Sequence, residues 1–291
     1  MITIPPVIRR ACSKRAALAI SISGGKDSQA LLNAVSAWHT SNGYEGDLFA
    51  IHADLGRTEW PQTPEHVERI CQVAGVPLVV VRREQGDLLA RWEERMEKLR
   101  GTGKPFWSSA QNRYCTSDLK RGPINKYLRR YQFVISVEGI RAEESPNRAK
   151  KPQVELRPAI TSSALHDVSL DDAISYRSFG QRLALTWNAI HEWSKEDVWA
   201  ACGTNSVDLA SRQQQYAAGD EAGALLDWPA HPAYVLGNER LSCALCILAS
   251  KNDLRNGAKH NPALYARLVE MEQQSGFTFR ADMALSELEI I

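Results

Sequence analysis

Six consecutive residues near the start of the chain combine residue types that bind phosphate groups: Ser23, Gly24, Gly25, Lys26, Asp27 and Ser28. They follow an apolar run over residues 16–23 and precede a helical pattern over residues 27–39. Glycines in such a turn let backbone N–H groups approach a ligand, and the N-terminus of the next helix favours an anion. The lysine adds a positive charge and the second serine adds a hydroxyl donor. We therefore predict a phosphate-binding loop.

The spacing of this loop excludes the Walker A motif. Walker A places four residues between its first glycine and its Gly-Lys pair, and Ser or Thr follows the lysine. Here Ile20 occupies the first position and Asp27 follows Lys26. The loop is therefore expected to hold phosphate in a different arrangement.

Polar residues also follow two further predicted strands. Asp54 and Gly56 come after the strand over residues 47–54, and a charged group follows the strand over residues 132–140. Open α/β sheets bind ligands outside the carboxyl ends of their strands, so these residues are expected beside the phosphate-binding loop. An arginine there can pair with a phosphate or a sulfate. The charged group contains Gly139, Arg141, Glu144, Ser145 and Arg148.

Three of the six cysteines stand in a context that suggests chemistry. Cys243 and Cys246 form a Cys-x-x-Cys pair, a spacing that lets two sulfurs face one metal. Cys115 precedes a predicted helix, whose N-terminus would lower the pKa of its thiol. Nearby basic residues act in the same direction: Arg113, Lys120 and Arg121. Three thiolates indicate a [4Fe–4S] cluster with one iron not held by cysteine; zinc, or cysteines simply buried in a helical core, stay open as alternatives.

The elements that must position these residues alternate between strand and helix patterns over the first 140 residues. Such alternation predicts a parallel sheet with helices on both faces. Predicted strands cover residues 16–23, 47–54, 76–84, 132–140 and 182–190. Predicted helices cover residues 27–39, 63–75, 87–100, 117–130 and 194–202, with a break or new start at Pro123. The predicted fold class is α/β, an open, twisted, mainly parallel five-stranded sheet of Rossmann-like type.

Two regions are expected along the chain. Residues 1–190 are predicted to form a nucleotide-binding α/β domain, in which the polar, irregular residues 141–180 serve as an active-site loop. Residues 191–291 are predicted to form a smaller, mainly helical C-terminal region that carries the Cys-x-x-Cys pair.

The overall composition excludes several classes of protein. The chain has 291 residues, 44% of them hydrophobic, and a net charge of +1, so no overall field draws it to nucleic acid or membrane. No run of about 18 apolar residues indicates a membrane span. The apolar stretch near the N-terminus leads directly into the glycine loop, which favours a strand over a signal peptide. We therefore expect a cytoplasmic protein with reduced thiols.

Residues 23–28 resemble the PP-loop of the ATP pyrophosphatase superfamily. The resemblance implies a loop that holds pyrophosphate in an enzyme that cuts ATP between its α and β phosphates. Mg²⁺ would be shared among the phosphates. The resemblance also implies a fold of the adenine nucleotide α-hydrolase type.

Four further segments resemble the phosphoadenosine phosphosulfate (PAPS) reductase family. They are the turn over residues 54–56, Gly-x-Arg-x-x-Glu-Ser-x-x-Arg over residues 139–148, Tyr-Cys-Thr-x-x-Leu-Lys-x-x-Pro over residues 114–123, and Arg-x-x-Cys-x-x-Cys over residues 240–246. Similarity is greatest to the ATP pyrophosphatase component of bacterial DNA phosphorothioation systems. Those proteins carry an iron–sulfur cluster.

The chain departs from the reductases of this family at several places. Leu55 stands where the family has the threonine of Asp-Thr-Gly, and Tyr114 stands where adenylylsulfate reductases have the first cysteine of a double Cys. No cysteine follows Cys246, so the reactive C-terminal cysteine of PAPS reductases is missing. The reductases have a degenerate loop, whereas this chain keeps all six loop residues. These departures favour use of ATP over reduction of sulfate.

The resemblance implies roles for individual residues. Catalysis is assigned to Lys26, Asp27, Asp54 and Arg141. Nucleotide binding is assigned to residues 23–28 together with Asp54, Gly56, Gly139 and Arg141. Substrate binding is assigned to Arg113, Lys120, Arg121, Glu144, Arg148 and Arg240, and the cluster is assigned to Cys115, Cys243 and Cys246. The implied cofactors are ATP, Mg²⁺ and a [4Fe–4S] cluster.

The leading hypothesis is an ATP pyrophosphatase that adenylates a substrate oxygen, releases pyrophosphate and so enables sulfur incorporation, as in DNA phosphorothioation. A cysteine desulfurase is the implied partner and sulfur donor. DNA is a candidate substrate reached through a partner complex, and a homo-oligomer is left open. Three alternatives remain: a reductase of adenylyl or phosphoadenylyl sulfate, the ATP-using subunit of a sulfate adenylyltransferase, and a nucleotide-binding regulatory subunit that senses redox state.

Overall fold

The computed structural model describes residues 2–290. Within this range six strands form one sheet: β1 (Ala17–Ile22), β2 (Leu48–Asp54), β3 (Leu78–Arg82), β4 (Phe133–Glu138), β5 (Val154–Leu156) and β6 (Leu183–Asn188). The helices of the same range are α1 (Pro6–Ser13), α2 (Lys26–Ser41), α3 (Thr63–Ala74), α4 (Leu88–Leu99), α5 (Tyr114–Thr116), α6 (Gly122–Leu128), α7 (Pro146–Ala149), α8 (Leu170–Tyr176), α9 (Lys195–Ala201), α10 (Ser206–Ala217), α11 (Glu221–Leu225), α12 (Pro232–Val235), α13 (Lys251–His260) and α14 (Pro262–Ser275).

The sheet is mainly parallel and has the strand order β3-β2-β1-β4-β6-β5. β1 pairs in parallel with β2 and with β4, and β4 pairs in parallel with β6. The predicted open, mainly parallel α/β sheet is confirmed. It has six strands rather than five because β5 pairs antiparallel with β6 at the edge, inside the predicted loop over residues 141–180. A strand of three residues is too short to show a period in the sequence.

The sheet is covered on both faces, as the residues of β1 show. Leu18 and Ile20 are fully buried, and α2 contacts β1. Ala17 and Ala19 alternate with them and belong to an apolar cluster that includes Leu128 of α6. A continuously apolar strand is typical of a parallel sheet between two layers of helices.

The helix predicted over residues 117–130 is divided into parts. α5 leads into a π-helical segment over Ser117–Arg121, and α6 begins at Gly122. Pro123 has no backbone N–H to donate, so an uninterrupted α-helix would lose a hydrogen bond there. The sequence predicts a break or a new start at this proline; the structure shows a new α-helical start at Gly122, after a widened turn that does not interrupt the helical backbone.

The chain folds into two compact units, each assembled from separate segments. Unit 1 extends to His52 and adds residues 65–81 and 124–206. Unit 2 contains residues 53–64 and 82–123 and continues from Val207. The division expected from the sequence, into residues 1–190 and 191–291, runs along the chain, whereas these units interleave.

Unit 2 has an apolar core of its own. Trp92 packs edge-on against Trp107 and Phe279, at ring-centroid distances of 5.5 and 5.7 Å, and the latter two are 5.0 Å apart. Leu245, which lies between the cysteines of the Cys-x-x-Cys pair, is fully buried in the same core. The cysteine pair is therefore attached to a packed interior.

Candidate functional sites

The predicted phosphate-binding loop connects β1 to α2 in unit 1. Gly24 has a positive φ of 79°, a conformation that favours glycine, and α2 begins two residues later at Lys26. The hydroxyl of Ser28 accepts the N–H of Ser23 at 3.1 Å and donates to the carbonyl of Gly25 at 2.8 Å. Ser28 thus closes the loop on itself.

A partly buried carboxylate joins two cations at this loop. Asp27 accepts from Lys26 Nζ at 2.6 Å and from Arg141 Nε at 2.5 Å. Lys26 and Arg141 are 6% and 4% exposed, and Arg141 also pairs with Glu143. Burial alone would raise the pKa of Asp27, but the two cations hold that pKa below its usual range. Asp27 therefore stays ionised and keeps both positive charges in one place.

The residues after β4 meet the loop at the point where the strand order reverses, between β1 and β4. Ligands of open α/β sheets bind at such a switch point. A Cβ on Gly139 would lie 3.2 Å from the carbonyl oxygen of Asp27, so a larger residue would press on the loop. The sequence predicts that Gly139 lets a nucleotide come close. In the structure, the group that lies close to Gly139 is the backbone of the phosphate-binding loop.

The predicted residues Glu144 and Arg148 pair with each other in the segment after Arg141. Glu144 also accepts the backbone N–H of Arg141 at 3.2 Å. His191, which follows β6, fixes this segment at two points: Nε2 contacts the carbonyl of Arg148 at 3.0 Å, and its own carbonyl accepts from Ala142 at 2.8 Å. These contacts shape the segment.

Three residues near the loop were missed by the sequence analysis. The ring of Trp199 lies 5.9 Å from Lys26 Nζ, and Cys202 Sγ donates to the Lys26 carbonyl at 3.3 Å. Burial raises the pKa of Cys202 to about 12, so this thiol is not a nucleophile at neutral pH. The imidazole of His66 interacts with the backbone of Gly24, and burial together with Arg69 lowers its pKa to about 4.

Asp54 and Gly56 lie in unit 2, at and after the end of β2. The Asp54 carboxylate accepts the N–H of Gly56 at 2.7 Å and pairs with Arg82 at 2.9 Å. Gly56 has a φ of 66°, and a Cβ there would collide with the side chain of Asp87. The structure thus brings these two predicted residues together in one tight turn.

The three predicted cluster ligands lie in unit 2 and act on one another. Burial raises the pKa of Cys243 to about 12, and Cys246 and Cys115 act in the same direction, whereas Lys120 opposes them. Burial also raises the pKa of Cys246. All three are free thiols. The chain therefore gathers the predicted thiols and one lysine in one locality.

The arrangement of these thiols is not that of a single-ion site. Among residues 2–290, no group of three or more His, Cys, Asp or Glu side chains is placed to hold a metal ion. Neither the zinc alternative nor the [4Fe–4S] cluster gains support from this geometry. The cluster stays a prediction that rests on the thiol donors, which are its usual ligands.

The remaining predicted substrate residues also lie in unit 2. Arg113 directly precedes α5, and Lys120 and Arg121 end the π-helical segment. The Arg240 carbonyl accepts from the Asn238 side chain at 3.1 Å in the loop before Cys243. Their role toward a substrate stays a prediction.

In the described part of the chain, no helix has both the length and the apolar character needed to cross a membrane.

Several known proteins are similar to this chain. An uncharacterized 37.8 kDa protein of Escherichia phage 186 is 26% identical over 87% of this chain and 74% of its own length. An uncharacterized protein of Methanocaldococcus jannaschii is 29% identical over 91% of this chain and half of its own length.

Two solved structures are more distant. PAPS reductase from Candida auris, in a phosphate complex, has a TM-score of 0.42 and 14% identity, covering 68% of this chain and 76% of its own. NAD⁺ synthetase from Burkholderia pseudomallei has a TM-score of 0.31 and 14% identity, covering 60% of this chain and 83% of its own.

The family comparison extends over more than half of the chain. The phosphoadenosine phosphosulfate reductase domain matches residues 17–216, a range that contains the loop, the Asp27–Arg141 ion pair and Cys115. The chain belongs to the phosphoadenosine phosphosulfate reductase domain family.

Proposed function

We propose that this protein is an ATP pyrophosphatase that adenylates a substrate oxygen and so prepares it for sulfur incorporation. The observation that carries the proposal is the pair of buried cations, Lys26 and Arg141, gathered by Asp27 at the start of α2. Within the described residues, no side chain caps this end of α2 at Gly25. Its first N–H groups and the two cations match the charge that develops on a leaving pyrophosphate.

In the proposed reaction, an oxygen of the acceptor attacks the α phosphorus of ATP. The bond between that phosphorus and the oxygen bridging to the β phosphorus breaks, and pyrophosphate leaves with the electron pair. Lys26 and Arg141 neutralise the departing charge, and Asp27 is the carboxylate in this group that would hold Mg²⁺. The acceptor oxygen then carries an AMP group, which sulfur can displace.

The finer part of the proposal concerns the sulfur. Cys115, Cys243 and Cys246 would hold a [4Fe–4S] cluster, which supplies sulfide or electrons when bound. A cysteine desulfurase would be the sulfur donor, and a DNA phosphate would be the acceptor, in the cytoplasm. This part is supported by the sequence resemblance and by the three thiols gathered near Lys120.

An anaerobic assay of pyrophosphate release tests the proposed reaction. The full chain is incubated with Mg²⁺ and ATP, and DNA, tRNA or sulfate is added in parallel reactions. We expect pyrophosphate release that depends on one acceptor. Lys26→Ala should reduce the release by about 100-fold or more, because it removes a charge that acts on the leaving group.

Lys14→Ala is the matched control, since Lys14 is an exposed lysine of the same unit. It should keep the wild-type rate within about twofold, as expected for a surface position. Equal rates in Lys26→Ala and wild type would overturn the assignment of the loop. Nucleotide binding without turnover under all conditions would instead favour a regulatory subunit.

A reductase of adenylyl or phosphoadenylyl sulfate is the second candidate. The family match favours it, because the matching domain is described as a reductase domain. The same protein is assayed for sulfite release from each of these compounds, with a thiol reductant present. Sulfite release with no release of pyrophosphate from ATP would select the reductase and reject the adenylation.

A further inference from the structure

The Cys-x-x-Cys pair lies on a loop without regular secondary structure, which we call the thiol loop (residues 237–246). It begins at Gly237, which has a φ of 112°, and it contains Cys243 and Cys246. The thiol loop is followed by α13, which folds back against it. Contacts with side chains of α13 hold the shape of the loop.

Side chains of α13 hold the first half of the thiol loop. Asn252 donates to the Gly237 carbonyl at 2.9 Å, and Asp253 accepts the N–H of Glu239 at 2.8 Å. Asn256 donates to the side chain of Asn238. Asn256, Asp253 and Asn238 are 9%, 3% and 2% exposed, so the bonds made by Asn256 and Asp253 are shielded from competing water, whereas the bond made by Asn252 is exposed.

The next residue of α13 holds the second half of the loop through close backbone contact. Gly257 is buried against Ala244, the residue that follows Cys243. A Cβ at position 257 would overlap the Ala244 carbonyl oxygen, which is backbone and cannot swing aside. The N–H of Ala244 is bound on its other side by the Thr58 carbonyl at 2.9 Å. Ala244, which follows Cys243, is therefore held on two sides, by Gly257 and by Thr58.

We propose that α13 is the positioning element of the thiol site: Asp253, Asn256 and Gly257 set the placement of Cys243 and Cys246. The inference rests on the proposed function only in giving the two thiols a role. A buried donor or acceptor that loses its hydrogen-bond partner lowers the stability of the fold. These contacts therefore favour one shape of the loop over others. The placement of the two thiols thus depends on contacts made by α13.

The test measures how fast each cysteine is alkylated in the full chain. The protein is treated with iodoacetamide without nucleotide and with a chelator, and peptide mass mapping gives a rate for each thiol. In Gly257→Ala and Asn256→Ala, the peptide that carries Cys243 and Cys246 should react at least about tenfold faster, because local opening exposes buried groups. Cys115 reports on the rest of unit 2, and it should change by less than about threefold.

Internal controls separate positioning from unfolding. Cys12, Cys71 and Cys202 are buried in unit 1 and should keep their wild-type rates. Arg255→Ala alters an exposed residue of the same helix and should change no rate. Asp253→Asn keeps an acceptor for the Glu239 N–H and should behave as wild type, whereas Asp253→Leu should not.

Two results would overturn the inference. One is an unchanged rate at Cys243 and Cys246 in both Gly257→Ala and Asn256→Ala. The other is a rise shared by Cys12 and Cys71, which would make α13 a general stabiliser of the fold. Since no nucleotide is present, neither result depends on whether the chain adenylates a substrate.

Discussion

The phosphate-binding loop and the thiol loop solve the same problem with different interactions. Both must hold a short irregular segment so that its functional groups converge. In the phosphate-binding loop the contacts are ionic: one carboxylate, Asp27, is shared by Lys26 and Arg141. In the thiol loop the contacts are mostly amide and backbone hydrogen bonds made by one helix.

The difference corresponds to what each loop is expected to bind. A loop for an anion needs concentrated positive charge, and Asp27 keeps that charge together until a ligand arrives. A loop that carries metal-binding thiols needs no strong positive charge of its own, because a bound metal ion would neutralise the thiolates. The phosphate-binding loop should therefore be sensitive to charge, and the thiol loop should be sensitive to shape.

The largest expected effect comes from removing the shared carboxylate. Asp27→Leu removes the carboxylate that two buried cations share, which should lower the free energy of unfolding by about 3–5 kcal/mol. Urea denaturation measures the change. Asp171→Ala breaks the exposed pair with Arg10 in the same unit and should cost less than about 1 kcal/mol. Similar losses of unfolding free energy in the two variants would show that the ionic contacts of Asp27 do not hold the phosphate-binding loop.

The next effect is a dependence of stability on pH. The pKa of His66 is lowered to about 4 in the folded chain, so the unfolded chain takes up a proton first as pH falls below about 6.5. Stability from this group is therefore lost as pH falls, by about 2 kcal/mol between pH 7 and pH 5. Urea midpoints at the two pH values should differ less in His66→Gln than in wild type. An equal difference would show that His66 does not titrate in this way.

A smaller effect is expected where β4 meets the loop. Gly139→Ala presses a methyl group toward the Asp27 carbonyl, which should cost about 1–2 kcal/mol and weaken ATP binding several-fold. Gly43→Ala is the control, because Gly43 has a φ of 62° but open space around it. It should lower stability by about 1 kcal/mol and leave ATP affinity unchanged. Calorimetric titration with ATP separates the two variants.

The smallest expected effect tests the helix behind the thiol loop. Ser250 caps α13 by accepting the N–H of Asp253 at 3.1 Å. Ser250→Ala should lower the free energy of unfolding by about 1 kcal/mol and raise the alkylation of Cys243 and Cys246 slightly. Ser194→Ala removes the equivalent cap of α9 in unit 1 and should leave those alkylation rates unchanged. If both caps affect the thiols equally, the thiol loop has no special dependence on α13.

The sequence predicted the phosphate-binding loop well because its signals are local. An apolar strand, two glycines, a lysine and a helix pattern follow one another within about twenty residues, and the structure keeps them in that order. Arg141 was also placed at this site, since parallel strands bring their carboxyl ends to one edge. Its bond to Asp27 was not predictable, because the two residues are 114 positions apart.

Other features escaped because they lack a periodic apolar pattern. α13 buries Asp253, Asn256 and Gly257 and has only Leu254 and Ala258 as apolar residues on its buried face, so its apolar stripe is too short to have predicted a helix. β5 is too short to show alternation, and His191 acts through one ring nitrogen and one carbonyl. α1 did carry a signal, a proline at its start, which favours a helix N-terminus.

The π-helical segment after Cys115 also contains one residue more than an ordinary helical turn needs. A widened turn advances less per residue than an α-helix does, so the five residues Ser117–Arg121 cover nearly the rotation of about four α-helical ones. Deleting one of them would restore an ordinary turn and leave α5, which carries Cys115, facing nearly the same way relative to Gly122. The segment is therefore a place where the chain tolerates a change of length without turning the cysteine away.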